Sequence, residues 1–144
     1  MANDRWYEKL ESSIYTLVSY RTKRELTGQT SKTIKFTSSG QSEANPYFPV
    51  CYLHELQPVE MGQDLHGTSV NAVIETMECI VYARDKAECK LILNEVTHQM
   101  KQLLFFVTAM PLYTTSDNIY TGIARFRRLV GASDADLVDQ EETD

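Results

Sequence analysis

Cys51 and His54 form a C-x-x-H pair, a spacing from which a zinc site can begin. Tetrahedral zinc needs further ligands at comparable spacing, and no second pair follows; Cys79 and Cys89 stand apart in the chain. Cys51 and Cys79 fall in β-prone runs, where a free thiol behaves as a small buried hydrophobe. The expectation is therefore no metal and no disulfide framework. His54, His66 and His98 fall on a strand, a loop and a helix, with no nucleophile or orienting group at motif spacing beside them. Glu75 and Glu78 are three apart in a strand, which puts them on opposite faces and spoils them as an acid/base pair. A G-x-S-x-G elbow, a glycine-rich phosphate loop and H-E-x-x-H are all missing from the sequence. No catalytic residue and no cofactor is expected, and the chain does not read as an enzyme.

Charge narrows the partners. The 144 residues carry 14 Lys and Arg against 20 Asp and Glu, a net charge of −6. Asp134, Asp136, Asp139, Glu141, Glu142 and Asp144 account for that excess, and no basic residue follows Gly131. A balanced body with an acidic tail lacks the basic surface that nonspecific nucleic-acid binding requires. Arg125 and Arg127 share one face of a strand, a short basic row that suits a protein contact or a protected sheet edge.

The eight tyrosines and five phenylalanines stand out in a chain so poor in catalytic groups. Tyr47, Phe48, Tyr113 and Tyr120 fall in loops or at strand positions read as outward-looking, where a ring can anchor a protein interface; ordinary core and rim packing fits them as well. The candidate protein-interaction residues are these four with Glu60, Asp64 and His66 of a polar loop, Asp117 of a turn, and Arg125 and Arg127.

These residues need a scaffold. Trp6, Leu10, Ile14, Leu17 and Val18 make a helical stripe over about residues 3–26, with Asn3 or Asp4 as cap and Gly28 as terminator. Strands are expected at Thr33–Thr37, Val50–Leu56 and Ser69–Ala83. Between the last two, Pro58, Gly62 and Gly67 suggest a long mobile connection over 57–68. Asp85-Lys86-Ala87-Glu88 is a D-x-x-E capping box, followed by Cys89, Ile92, Leu93, Val96, Met100 and Leu103 as the buried face of a second helix. A strand over Val107–Met110, interrupted at Pro111, a turn at Thr114–Asn118 and an alternating strand over Ile119–Val130 complete the order.

The expected fold is α+β in two layers: a mixed or antiparallel sheet of about four or five strands, covered on one face by two helices. One domain should span 1–131, with 132–144 as an acidic, flexible tail. No window approaches the ~18 to 20 apolar residues of a membrane span, and residues 1–6 do not read as a secretory signal, so the chain is expected to stay in the cytoplasm where it is made.

Tyr47-Phe48-Pro49-Val50-Cys51-Tyr52-Leu53, the strand closing on Cys79-Ile80-Val81-Tyr82-Ala83, the helix opening Asp85-Lys86-Ala87-Glu88-Cys89-Lys90, and Ile119-Tyr120-Thr121-Gly122-Ile123-Ala124-Arg125-Phe126 resemble the small tail terminator, or tail completion, proteins of long-tailed bacteriophages. The likeness covers roughly residues 1–131 and leaves the acidic tail outside. It implies a structural virion protein of the neck region, assembled in the host cytoplasm. Its copies form a homo-oligomer, a hexameric ring, that caps the tail tube protein, stops tube polymerisation and docks the head–tail connector or stopper protein. DNA passes through the lumen without specific binding. Another neck component, such as a head–tail stopper or a contractile sheath terminator, is the neighbouring alternative; a small ligand-binding or enzymatic α+β domain is the different one.

Overall fold

A computed structural model of the chain describes residues 6–30, 33–39, 47–63, 70–131 and Asp134, with backbone alone for 60–63, 70 and 71. A 3-10 turn at Trp6–Lys9 leads into α1 (Leu10–Leu26), followed by β1 (Lys35–Thr37), β2 (Val50–Gln63), β3 (Val70–Ala83), α2 (Lys86–Gln102), β4 (Phe106–Ser116) and β5 (Ile119–Gly131). The strands form one sheet in the order β1-β2-β3-β5-β4, parallel between β1 and β2 and antiparallel elsewhere. It is a five-stranded mixed sheet with two helices packed on one face, the expected α+β architecture.

Each helix forms where its apolar spacing gives it a face to bury. In α1 the buried residues are Leu10, Ile14, Val18, Thr22 and Leu26, one every four positions. Trp6 is buried in the preceding turn, and the cap expected from Asn3 or Asp4 lies outside the described residues. Gly28, at φ +82, ends the helix as expected, because only glycine enters the left-handed region without steric cost. In α2 the carboxylate of Asp85 accepts from the Ala87 N–H at 3.1 Å. Cys89, Ile92, Leu93, Val96, Met100 and Leu103 are all buried, the face read from the sequence. The helix stops at Leu104, a non-glycine at φ 68, while Arg128 Nη1 donates to the Leu103 carbonyl at 2.7 Å.

Two strands run further than expected, for one reason. Where a mobile connection is expected over 57–68, β2 instead continues through Pro58 to Gln63, and 64–69 lie outside the described residues. Pro58 sits in the register shift between Leu56 and Val59, and β1 pairs only as far as Tyr52, so the missing N–H leaves no ladder bond unmade. Pro111 likewise does not interrupt β4. It lies on an edge strand between Ala109 and Leu112, where the register shifts again. The turn after β4 is two residues, Asp117 and Asn118, both left-handed, the geometry that matches the twist of a tight hairpin.

The core lies between helices and sheet. Cys51 and Leu53 of β2, Val73, Met77, Cys79 and Val81 of β3, and Ala124, Phe126 and Val130 of β5 alternate into it. At Gly122 the backbone lies under the Tyr113 ring; a Cβ there would come within 2.9 Å of that ring and 3.0 Å of Leu93 Cδ2.

Candidate functional site: the open face of the sheet

Alternation that sends half of each strand into the core sends the other half outward, and among the described residues no element covers that second face. Antiparallel sheets with one free face usually make it polar. Here large apolar side chains stand on it or at its rim: Leu129 is 58% exposed, Leu112 63%, Phe106 73% and Met110 76%, with Val59 also exposed. Strand register orders them. Tyr52, Ile80, Ile123 and Leu112 form one apolar row across β2, β3, β5 and β4, and Val59, Ile74 and Leu129 form another.

Between these rows lies a charged one. His54 pairs with Glu78 and Glu78 with Arg125 across three adjacent strands. His54 Nε2 is 2.7 Å from Glu78 Oε1, and Arg125 Nε donates to Glu78 Oε2 at 2.8 Å. Burial pushes the Glu78 carboxyl up, but the bonds and charges of Arg125 and His54 outweigh it and hold the group below the usual carboxylate range. An ionised Glu78 can only accept, so His54 Nε2 carries the hydrogen of that bond. Tyr52 stacks on the imidazole, ring centroids 4.1 Å apart and 7° from parallel. The next row holds Arg127, exposed between Thr76 and Phe106, and no carboxylate among the described residues lies within ion-pair distance of it.

The expected interaction residues divide by face. Arg125 and Arg127 lie on the open face. Tyr113 and Tyr120 do not look outward as expected: both are half-buried and packed against the core on the helix side, Tyr113 over Gly122 with Lys90 Nζ 5.6 Å from its ring centroid. Tyr47 is exposed ahead of β2, and Phe48 stacks with the Arg84 guanidinium at 4.8 Å. Asp117 occupies the β4–β5 turn. Of Glu60 the backbone lies in β2, while Asp64 and His66 fall outside the described residues. Sequence reasoning missed Phe106, Met110, Leu112 and Leu129, because apolar periodicity says which residues share a face and not whether that face is covered.

Cys51 and His54 point to opposite faces of β2, so the C-x-x-H pair does not converge on one point. Cys51 Sγ instead touches Cys79 Sγ at 3.3 Å inside the core, and Cys89 is also buried and free. Glu75 and Glu78 do lie on opposite faces, with different fates. Glu75 is fully buried on the helix side; as a carboxylate it has no donor to accept from, and as a neutral acid it can donate to the Glu55 carboxyl. Burial, with the nearby carboxyls of Glu55 and Glu11, pushes it up to about 10, so it is a neutral acid at pH 7. Glu11 itself accepts the Glu55 backbone N–H at 2.9 Å, closing part of the β2 edge that β1 does not reach.

A depression of about 380 Å³ at the end of α1 is lined by Lys23, Leu26, Thr27, Gly28, Thr30, Thr33 and Ile34, with no carboxylate, imidazole or thiol among them. The open face is apolar and crossed by charge, the make-up of a surface for another protein. Compared with protein-family models and with curated proteins, the chain matches none.

Proposed function

We propose that this protein is a structural subunit that assembles through its open sheet face, as a tail-terminator-like ring component of a long-tailed bacteriophage. One observation carries the reading: large apolar side chains stand on or beside a sheet face that the protein's own helices leave uncovered. Water contact with such a surface is unfavourable by roughly 25 cal/mol per Å² of apolar area, so burial against a partner is its natural state. The row of His54, Glu78 and Arg125 supplies register within that apolar surface, since charged groups fix the orientation of an interface more than they add affinity.

A ring requires a heterologous contact that closes by rotation, with separate surfaces for the tube below and the connector above. The described chain offers such separate surfaces: the open sheet face, the helix layer, and the β4–β5 hairpin tip at Asp117 and Asn118. The sequence resemblance to tail terminators supplies the biological setting, a six-membered ring that ends the tube.

The test is light scattering across concentration, with and without polymerising tail tube protein, followed by electron microscopy of tube lengths. The expected result is a six-membered ring on tubes of defined length. Leu112→Glu should abolish both while leaving the thermal transition of the isolated subunit intact, because Leu112 is 63% exposed. Normal assembly by that variant would remove the open face from the interface, and a ring of another order would overturn the hexamer.

A further inference from the structure

Charge on the open face does not balance. Among the described residues Glu78 is the one carboxylate there, and both its oxygens are taken, by His54 at 2.7 Å and by Arg125 Nε at 2.8 Å. Arg125 uses only Nε; its two terminal nitrogens make no bond among the described residues, and the side chain is 52% exposed. Arg127, two residues further along β5 on the same face, pairs with no described carboxylate. One positive charge is thus left over, beside a half-used guanidinium.

Apolar side chains close this pair in from both ends of the strand. Ile80, Ile123 and Leu112 lie beyond Arg125, and Ile74 and Leu129 lie beyond Arg127, with Phe106 beside it. Covering that surface strips water from both cations, which is unfavourable unless the covering surface brings acceptors to them. Arg127 calls for a carboxylate, whose two oxygens fit the guanidinium fork, and Arg125 for a second acceptor. The two arginines are spaced as alternate strand residues, roughly 6.6 Å at ~3.3 Å each, and one helical turn of four residues rises about 6 Å. From Ile123 to Leu129 the face runs roughly 20 Å, the length of about 13 helical residues. Helices already cover the other face of this sheet.

A second copy of the described chain does not supply such a helix. Two open faces laid together bring four arginines to two glutamates that are already bonded. The acids of the helical segments have partners of their own, Glu11 on the Glu55 N–H, Asp85 on the Ala87 N–H and Glu95 on Gln99 among them. Asp117 stands at a polar hairpin tip with no apolar strip beside it. We propose that the open face takes an amphipathic helix of a different protein, laid along the strands, with a carboxylate on Arg127, an acceptor one turn away on Arg125, and apolar side chains at either end on Ile123 and Leu129. This deepens the assembly reading and rests on it, since it names the chemistry of the partner for the same face.

The probe is a helix-forming peptide of about 15 residues, with leucines in its first and last turns and, between them on the same side, a glutamate and a glutamine four residues apart. Companion peptides carry glutamine or lysine in place of the glutamate. The readouts on the full chain are the NMR signals of the Arg127 Nε–H and of the Leu112 and Leu129 methyls, with light-scattering mass on the same samples. The expected result is that the glutamate peptide moves all three signals in a complex of one chain and one peptide. The glutamine peptide should bind about tenfold more weakly and the lysine peptide more weakly still. Arg127→Gln, on an exposed side chain, should bind the glutamate and glutamine peptides alike. Equal affinity of the unmodified chain for the glutamate and lysine peptides would overturn the proposal, as would shifts confined to the helix layer or no shift at all. Signals that change with the chain's own concentration, at a mass of two copies and with no peptide present, would give the face to a second copy and overturn it too. Rings that form on tubes while every peptide fails leave the assembly reading standing without this partner. A peptide bound as described by a chain that never assembles upholds the partner while the assembly reading fails.

Discussion

His54 and Glu78 face each other across β2 and β3 on the uncovered side of the sheet, imidazole nitrogen to carboxylate oxygen at 2.7 Å. Arg125 holds the other oxygen of the same carboxylate. Because Glu78 is held below the usual carboxylate range, its folded state binds its proton less readily than the unfolded chain does. Its contribution to stability is thus fully present above the ordinary carboxylate value and is lost as pH falls through the lowered one. Glu78→Gln should cost on the order of 1 kcal/mol at pH 7, modest because Arg125 is half-exposed, and less at pH 3. Urea titrations at the two pH values check this; an equal cost at both would remove the charge from the argument.

Glu75 predicts the opposite slope. Its folded value, about 10, lies above the ordinary 4.5, so the folded protein keeps a proton that the unfolded chain releases. Stability from this group is therefore greatest below the ordinary value and falls as pH rises towards the folded one, by up to about 1.4 kcal/mol per pH unit. Glu75→Gln, similar in shape and uncharged, should stabilise the protein at pH 8 and change little at pH 4. Denaturation midpoints measured from pH 4 to 9 should diverge in that order, and parallel curves would refute the neutral acid.

Leu104 ends α2 in the left-handed region, a conformation that costs a residue with a Cβ roughly 1–2 kcal/mol, while its side chain is 66% exposed and gives little packing in return. Leu104→Gly should raise stability by about 0.5–1 kcal/mol, some of the relieved strain being offset by the entropy of an unfolded glycine. Thermal melts decide it, and a lowered midpoint would mean that Leu104 is held by contacts worth more than its strain.

Gly122 predicts a loss. A methyl group there would meet the Tyr113 ring at 2.9 Å and Leu93 at 3.0 Å, so the ring must move off the sheet. Gly122→Ala should destabilise by about 1–3 kcal/mol, in the range of overpacked cores. Tyr113→Ala in the same chain should recover part of that loss if the ring is the obstacle, and simple additivity of the two would place the strain elsewhere.

Val96→Asp tests the helix face itself. Val96 is fully buried, and an unpaired carboxylate there has no described partner, so the variant should fail to fold at pH 7. A cooperative melt near that of the unmodified chain would mean that α2 turns a different side to the sheet.

The parts of this fold most legible in the sequence were those whose period repeats without a break. The buried stripe of α2 from Cys89 to Leu103 and the alternation of β5 come straight from spacing, as does the separation of Glu75 from Glu78. The reading faltered at Pro58 and Pro111, residues that end a central strand but are tolerated where a bulge leaves an N–H unpaired. Tyr113 could be turned either way from its own neighbourhood; the hint was Gly122, whose lack of a side chain leaves room for a ring opposite it. The two bonds of the row His54, Glu78 and Arg125 join residues 24 and 47 positions apart, and only strand register, which no local pattern encodes, brings them together.

Those same two prolines limit what an apolar sheet can do in a crowded cell. A bare strand edge beside such a surface would invite a second molecule to add a strand, then a third, and open-ended fibrils would follow. Pro111 and the paired bulges of β4 break the regular bonding row on one side, and Pro58 with the Glu11 carboxylate does the same on the other. Growth in the plane of the sheet is thereby discouraged, while contact through its face stays open.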